Sequence, residues 1–284
     1  MILLDLNQVM ISNLMMSVKN NSEIEEDLVR HMILNTIRSL RKKFFQEYGE
    51  LVIACDDTNY WRKQIFPYYK ASRKKDRGES PMDWNNIFQI LNKIRDELKE
   101  YFPYRVIQIE TAEADDVIGT LVQDENDKVI NNSKILILSG DKDFIQLQQY
   151  DNIKQYDPVR KKFISHKNPS LYIKEHILRG DVGDGVPNFL SHDSTFVDGS
   201  RQKSIYATKM DVWLKQEPAE FCDSETLRNY NRNKMLIDLN NIPEDIKNKV
   251  RESYNSQDNK KRNKLFNYFV EKKLKHLMAN INEF

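Results

Sequence analysis

The chain has 284 residues, 39% apolar and 31% charged, with 44 Lys and Arg against 43 Asp and Glu for a net charge of +1. That length allows one large domain or two modest ones. Organised apolar runs exclude a wholly disordered chain, and none approaches the roughly 18 residues that a membrane span needs. Residues 1–8 carry a charge at Asp5 and do not read as a signal peptide. Cys55 and Cys222 give no disulfide framework, so the expectation is a cytoplasmic protein with reduced thiols, away from any membrane.

In chain order, Ile2-Leu3-Leu4 runs into Asp5, and a helical pattern follows through Leu28, Met32, Leu34, Ile37 and Leu40. Leu51-Val52-Ile53-Ala54-Cys55 runs into Asp56, and Ile87, Ile90, Leu91, Ile94 and Leu98 mark another helix. Val106-Ile107-Gln108-Ile109 leads to Glu113-Ala114-Asp115-Asp116, and Ile135-Leu136-Ile137-Leu138 leads through Ser139-Gly140 to Asp141. Runs this short, apolar on both faces, read as buried strands. Alternating with helices, they predict an α/β core over residues 1–165, with a mostly parallel central sheet flanked by helices. Beyond it, Leu171, Ile173, Ile177 and Leu178, then Leu236, Ile237, Leu239 and Ile242, then Leu265, Phe266, Phe269 and Val270 predict a helical part, residues 166–284. Residues 188–204 and 253–259 read as loops.

Ligands bind beyond the carboxyl ends of the strands in open sheets, which is where the acidic residues fall. One aspartate after a strand is a helix cap or turn former; the same event at each run end points to a site. Asp5, Asp56, Glu113, Asp115, Asp116, Asp141, Asp143, Asp181 and Asp184 would repel one another if gathered, so either several are protonated or cations neutralise them. With no His or Cys at metal-ligand spacing, the set offers only oxygen, which suits Mg²⁺ first and Mn²⁺ next. More carboxylates than one octahedral ion can use suggests two ions, which can activate a water and stabilise the leaving oxygen of a phosphodiester displacement. If extended, Asp141-Lys142-Asp143 puts both carboxylates on one face. Gly180-Asp181-Val182-Gly183-Asp184-Gly185-Val186-Pro187 reads either as a plain interhelix turn or as a phosphate-backbone clamp, with Pro187 able to open the next helix.

Between Tyr60 and Arg77 stand Arg62, Lys63, Lys70, Arg73, Lys74, Lys75 and Arg77 against Asp76 alone, interleaved with Tyr60, Trp61, Phe66, Tyr68 and Tyr69. Charges that neutralise phosphates, with rings that stack on bases, are a single-strand binding composition. A solvated charge run is the plainer reading, weakened by the segment's place directly after the Asp56 strand.

Taken in order, Asp5, Asp56, Glu113-Ala114-Asp115-Asp116, Gly140-Asp141-Lys142-Asp143 and Gly180-Asp181 to Asp184-Gly185 resemble the flap endonuclease family of structure-specific 5′ nucleases, over the first two-thirds of the chain. Tyr60-Trp61-Arg62, Tyr68-Tyr69-Lys70 and the ending Asn280-Ile281-Asn282-Glu283-Phe284 are similar to bacteriophage members. The resemblance implies a PIN-like core, a helix–three-turn–helix DNA grip, and a two-Mg²⁺ nuclease in which Mn²⁺ can substitute. It would act as a 5′→3′ exonuclease and flap endonuclease on DNA and RNA–DNA duplexes with 5′ flaps, nicks or ends, and remove lagging-strand RNA primers. By position, Asp5, Asp56, Asp115 and Asp141 would serve the first ion, with Glu113 beside them. Asp143, Asp181 and Asp184 would serve the second, and Asp116 the outer shell. Lys70 and Arg73 would be the catalytic pair at the base of an arch at residues 60–80. Tyr69 would stack on a base, and Arg62, Lys63, Lys74 and Lys75 would contact nucleic acid. Arg179, Gly183 and Gly185 would hold duplex phosphates. Where relatives carry a second glycine-rich turn, residues 189–203 intervene here, and Gly199, Arg201 and Lys203 are the nearest candidates. A replication single-strand binding protein and a sliding clamp are the implied partners of a monomer.

Two other readings stand beside this one. A non-catalytic binder of branched DNA would gain nothing from carboxylates that repel phosphates. An aspartyl-phosphate phosphatase using Asp5 would want a second aspartate, which Asp5-Leu6-Asn7 lacks.

Overall fold

The computed structural model describes residues 1–20, 24–127, 133–258 and 261–284, with the side chains of residues 17–20 and 74–76 outside the described set. Ile2–Asp5 (β1), Leu51–Cys55 (β2), Arg105–Gln108 (β3) and Ile135–Leu138 (β4) are the four strands expected from the apolar runs, and they pair in parallel. Every residue of β1, β2 and β4 is buried, because helices cover both faces. Two further strands escape the apolar pattern. Ile153–Asp157 (β5) pairs parallel with β4, and Lys162–Ile164 (β6) pairs antiparallel with β5 at the edge. The order is β3-β2-β1-β4-β5-β6.

The chain builds outward from β1 through β2 to β3, then crosses to β4 on the other side of β1. The topological switch therefore lies at the carboxyl end of β1, where such sheets bind ligands. Register sets Asp5 beside Ala54, and Leu4 beside both Ile53 and Leu138. Asp56 and the Ser139-Gly140-Asp141 segment thus leave the sheet on one rim with Asp5.

Leu6–Asn20 (α1), Glu26–Tyr48 (α2) and Trp84–Tyr101 (α5) cover one face. The α5 start is fixed by Asp83, whose carboxylate accepts from the backbone of Asn85 and Asn86 at 3.1 Å each. Short helices Arg62–Ile65 (α3) and Ala71–Glu79 (α4) lie between β2 and α5, and Ala114–Asp127 (α6) covers the opposite face. A 3₁₀ helix, Lys142–Gln149, follows β4.

Pro169–Arg179 (α7), Ala207–Trp213 (α8), Pro218–Phe221 (α9), Ser224–Ile237 (α10), Glu244–Ser256 (α11), Leu265–Glu271 (α12) and Lys275–Met278 (α13) form the helical part. A small core of its own gathers Leu178, Phe189 and Met210, and the rest of its apolar side chains pack onto the α/β part. Leu239, Ile242, Ile246 and Val250 join the cluster under α6, while Leu265, Tyr268, Phe269, Leu277 and Phe284 join the cluster under α2 and α5. Residues up to 256 of the expected 253–259 loop extend α11, because its start is anchored by buried Ile246 and Val250 and by the Arg251–Asp124 ion pair. Pro187 opens no helix: turns follow it, and α8 starts only at Ala207. Among the described residues, no helix is long and apolar enough to cross a membrane.

Candidate active site

Asp5 ends β1 and is 8% exposed. Ser139 donates from Oγ to its Oδ2 at 3.0 Å, and the Gln8 backbone donates to its Oδ1 at 3.2 Å. Burial pushes this carboxyl up to about 7, and the Asp56 charge adds to the effect. Asp56 follows β2. The Ala114 backbone donates to its Oδ1 at 2.8 Å, and the Asn7 amide donates to its Oδ2. Burial raises this carboxyl too, against the pull of the Ala114 bond.

Asp115 stands in the first turn of α6. Burial, then the charges of Asp141 and Glu113, hold it well above the carboxylate range. The surrounding protein and the Asp143 charge raise Asp141 to about 6, although its carboxylate is open to solvent. Asp5, Asp56, Glu113, Asp115 and Asp141 line one cavity of ≈ 580 Å³, together with Lys70 and Arg73. Five carboxylates on three strand ends and one helix start meet in it. Several are unwilling to ionise together without cations.

The basic pair is braced from below. Lys70 Nζ contacts the buried Glu113 carboxylate and lies 3.4 Å from Asp184 Oδ2. Burial opposes its charge, but Glu113 and Asp184 outweigh it and hold the ammonium protonated far above neutral pH. Arg73 Nη2 donates to Asp184 Oδ1 at 2.7 Å.

Arg62 and Tyr69, expected at the nucleic acid, are buried in contacts within the protein, and Asp116 lies behind the cavity rather than on its wall. Arg62 is 3% exposed; it makes a two-pronged contact to Asp116 at 2.8 and 2.9 Å, reaches Glu113 at 2.9 Å, and donates to the Leu236 carbonyl at 2.8 Å. Its guanidinium offers nothing to a phosphate. Asp116 is fully buried. It accepts from Arg62, from the Trp61 indole at 3.0 Å and from the Glu113 backbone at 2.9 Å, so it positions Glu113 from behind the cavity. Tyr69 is 3% exposed, and its hydroxyl donates between Glu113 at 2.9 Å and Asp184 at 2.8 Å, which leaves no ring face for a base. Lys63 is exposed near the Tyr60 ring, while the side chains of Lys74 and Lys75 lie outside the described residues.

The pair Asp141-Lys142-Asp143 is not extended. Asp141 caps the 3₁₀ helix, accepting from the Asp143 backbone at 2.9 Å. The two carboxylates therefore part: Asp141 lines the cavity and Asp143 turns to α7. There His176 Nε2 lies 3.0 Å from Asp143 Oδ1 and 3.6 Å from Asp181 Oδ2. Burial opposes its charge, but the two carboxylates outweigh it and raise the imidazole to about 10. The neighbouring His176 also holds Asp181 low, against burial. Sequence spacing pointed to no histidine, because His176 meets its partners only through the packing of α7 on the 3₁₀ helix. Asn7 and Gln8 were also missed; Gln8 accepts from the Gly140 backbone at 2.6 Å and ties the β4 exit to α1.

The glycine-rich turn ends α7. Gly180 has φ 68° and Gly185 φ 72°, and a Cβ on Gly180 would meet the Val186 carbonyl oxygen at 2.4 Å. Asp181 and Val186 close the turn as a bridge, and the Asp184 carbonyl accepts from the Lys70 backbone at 2.7 Å. Gly183 is exposed at its tip and Gly185 buried at its base. Arg179 is exposed and paired with Glu175 at 2.6 Å. Arg201 and Lys203 are exposed in the insertion, whose Gly199 also has a positive φ of 69°.

A family model described as 5′-3′ exonuclease, N-terminal resolvase-like domain, matches residues 1–177, and one described as T4 RNase H, C terminal, matches residues 167–284. Ribonuclease H of Enterobacteria phage T4 is 36% identical over 292 residues, spanning 99% of this chain and 95% of that protein. Flap endonuclease Xni of Shewanella pealeana is 29% identical over 168 residues, spanning 56% of this chain and 60% of that protein. Among solved structures, bacteriophage T5 flap endonuclease in a complex with DNA and metal ions superposes with a TM-score of 0.62 at 13% identity, covering 90% of this chain and 98% of that one. A T5 structure crystallised with metal ions gives 0.61 at 14% identity over the same shares. These structural likenesses establish the shared fold. With its core matched by one domain model, its remainder by the other, and its whole length by a phage relative, the chain belongs to the 5′-3′ exonuclease family and carries the T4 RNase H type of C-terminal domain.

Proposed function

We propose that the protein hydrolyses phosphodiester bonds at 5′ ends and 5′ flaps of DNA and RNA–DNA duplexes with the aid of two Mg²⁺ ions, and that in its host it removes lagging-strand RNA primers. A single-strand binding protein and a sliding clamp are the partners this role calls for. The observation that carries the reading is the meeting of Asp5, Asp56, Glu113, Asp115 and Asp141 in one cavity with Lys70 and Arg73.

The donor set fits hard cations. The cavity's acidic ligands are all oxygen, and burial with mutual repulsion disfavours their charged form until a cation is present. Asp5, Asp56, Asp115 and Asp141 would hold one ion, and Asp143, Asp181 and Asp184 the other. Bound Mg²⁺ would supply Lewis acidity at the phosphoryl oxygens and lower the cost of the attacking and leaving oxygens. Lys70 and Arg73 would donate to the non-bridging oxygens as charge builds on them. Glu113 and Asp184 hold the Lys70 and Arg73 side chains in place, and the Tyr69 hydroxyl bridges those two carboxylates. Arg179, Arg201 and Lys203 would meet duplex phosphates, and Lys63, Lys74 and Lys75 the displaced strand.

The test is cleavage of an end-labelled 5′-flap substrate in Mg²⁺ and in chelator, by the natural protein and by Asp141→Asn. Cleavage that needs Mg²⁺ and is lost in the variant supports the reading; cleavage at the natural rate by Asp141→Asn defeats it.

A further inference from the structure

We propose that the acidic cavity continues into a nucleoside pocket between α1 and α5, which receives the nucleotide on the 5′ side of the cleaved bond and packs its base on Phe88. The inference rests on the phosphodiesterase reading above and adds to it the place of one unit of the substrate.

The cavity is larger than its carboxylates need. An ion with about six waters fills about 180 Å³, at about 30 Å³ per water, of the ≈ 580 Å³ present. The remainder falls in the range of about 300–1,000 Å³ that encloses a small ligand. Its lining also changes character. Phe88, Leu91, Asn92 and Arg95 stand at i, i+3, i+4 and i+7, one face of α5, and Met10 and Ile11 of α1 complete the apolar part. Met10 and Leu91 are buried, while Ile11 and Phe88 are half-buried and within reach of a ligand. Phosphodiester chemistry has no use for this apolar surface, whereas a base has.

Position decides which nucleotide enters. Among the described residues, all that line the cavity precede residue 142, so the glycine-rich turn lies outside it. Lys70 and Arg73 line the cavity and also reach Asp184 of that turn, and so mark the boundary between the two. A phosphate held by these cations has the duplex on the side of the turn. The strand leaving the duplex then continues on the side of α1 and α5.

The polar groups there are donors. Arg95 donates from Nε and Nη2 to Asp96 Oδ1 at 3.0 and 2.9 Å, and from Nη1 to Asn92 Oδ1 at 2.8 Å. Its side chain is 16% exposed, and among the described residues two of its five N–H groups remain for a ligand. The same bond turns the Asn92 carbonyl to Arg95 and leaves the Asn92 NH₂ to donate. Every base and sugar carries acceptors, so donors beside an apolar wall take any nucleoside. The Arg77 guanidinium now lies over the Phe88 ring, 4.8 Å from its centroid. Arg77 is exposed, and an exposed cation–π contact is weaker than a base stacked on a ring, so a base displaces it.

The probe is a 5′-flap DNA in three forms: intact, abasic at the nucleotide 5′ of the cleaved bond, and abasic at the nucleotide 3′ of it. Single-turnover cleavage in Mg²⁺ is measured for the natural protein, Phe88→Ala and Phe88→Tyr. The natural protein is expected to be at least about fivefold slower on the 5′-abasic form than on the intact one. Phe88→Ala is expected to be slowed as much on the intact flap and no further on the 5′-abasic one, and Phe88→Tyr to behave as the natural protein does. The 3′-abasic form should affect natural protein and Phe88→Ala alike. Equal penalties for the 5′-abasic form in natural protein and Phe88→Ala would overturn the pocket, and leave the phosphodiesterase reading standing. A natural protein that cleaves no intact flap would sink that reading instead. The pocket is then judged by binding in Ca²⁺ of a flap carrying 2-aminopurine at the same nucleotide. Fluorescence quenched by the natural protein and not by Phe88→Ala supports the pocket; equal fluorescence with both rejects it.

Discussion

Arg73 Nη2 lies 2.7 Å from Asp184 Oδ1, which joins the base of the basic segment to the glycine-rich turn. Lys70 makes the same junction from its backbone, donating to the Asp184 carbonyl at 2.7 Å, and it does so in the left-handed region at φ 55°. A non-glycine residue held there stores about 1–3 kcal/mol of strain, which persists only where surrounding contacts enforce it. The contacts are Glu113 and Asp184, the same groups that fix the two cations beside the acidic cavity.

Arg73 can therefore exchange a carboxylate for a phosphoryl oxygen with little reorganisation. Arg73→Ala is expected to slow single-turnover cleavage of a 5′ flap about 10²-fold, with a much smaller loss of affinity for the uncleaved flap. A rate within twofold of the natural protein would remove Arg73 from the chemistry.

Arg62 should behave differently, although it lies in the same basic run. Its guanidinium is buried against Asp116 and Glu113, and removing it leaves two carboxylates without their shared partner. Arg62→Ala is expected to cost about 3–5 kcal/mol of stability in denaturant unfolding. A variant with an unchanged unfolding midpoint and weakened flap binding would restore the nucleic-acid role.

These two arginines show where sequence stops being informative. The acidic rim was legible because four apolar runs each delivered a carboxylate, and parallel register carries such ends to one edge. Strands β5 and β6 were not, because no apolar run forms there: buried Gln155 and Asp157 and exposed Lys154 interrupt β5, and Lys162 and Phe163 are exposed on the edge strand β6. Composition cannot distinguish a buried cation from a solvated one, so Arg62 and Tyr69 read like Lys63. His176 gave no signal because its partners are far away in sequence or beyond a turn, and only the packing of α7 unites them.

The turn that carries Asp181 and Asp184 depends on Gly180. At φ 68° and ψ −174° this residue occupies a region open essentially to glycine, and an added Cβ would press on the Val186 and Pro187 backbone. Gly180→Ala is expected to lose more stability than Gly183→Ala, whose Cβ would meet only the Asp181 carboxylate, at 3.2 Å. Equal melting temperatures for the two variants would contradict this account of the turn.

Metal and pH should be linked through the cavity. Asp5 stands at about 7 and Asp141 at about 6 in the folded, metal-free protein, above the ordinary 3.8 of each. Below about pH 3.9 both groups are protonated in either state and contribute nothing. As pH rises from there, the unfolded chain ionises first and binds fewer protons than the native state, so these groups lower the stability of the metal-free protein. The penalty is complete once pH passes the folded value of about 7 for Asp5. Cations bind the ionised carboxylates and remove the repulsion, and ligand bound only to the native state raises its stability. The rise in melting temperature on adding Mg²⁺ is therefore expected to be at least about twofold larger near pH 8 than near pH 5.5. In Asp5→Asn the contrast should shrink, because the carboxyl that burial raises further of the two no longer titrates. A Mg²⁺ effect independent of pH, measured by differential scanning calorimetry on both proteins, would show that these carboxylates are not where the ions bind.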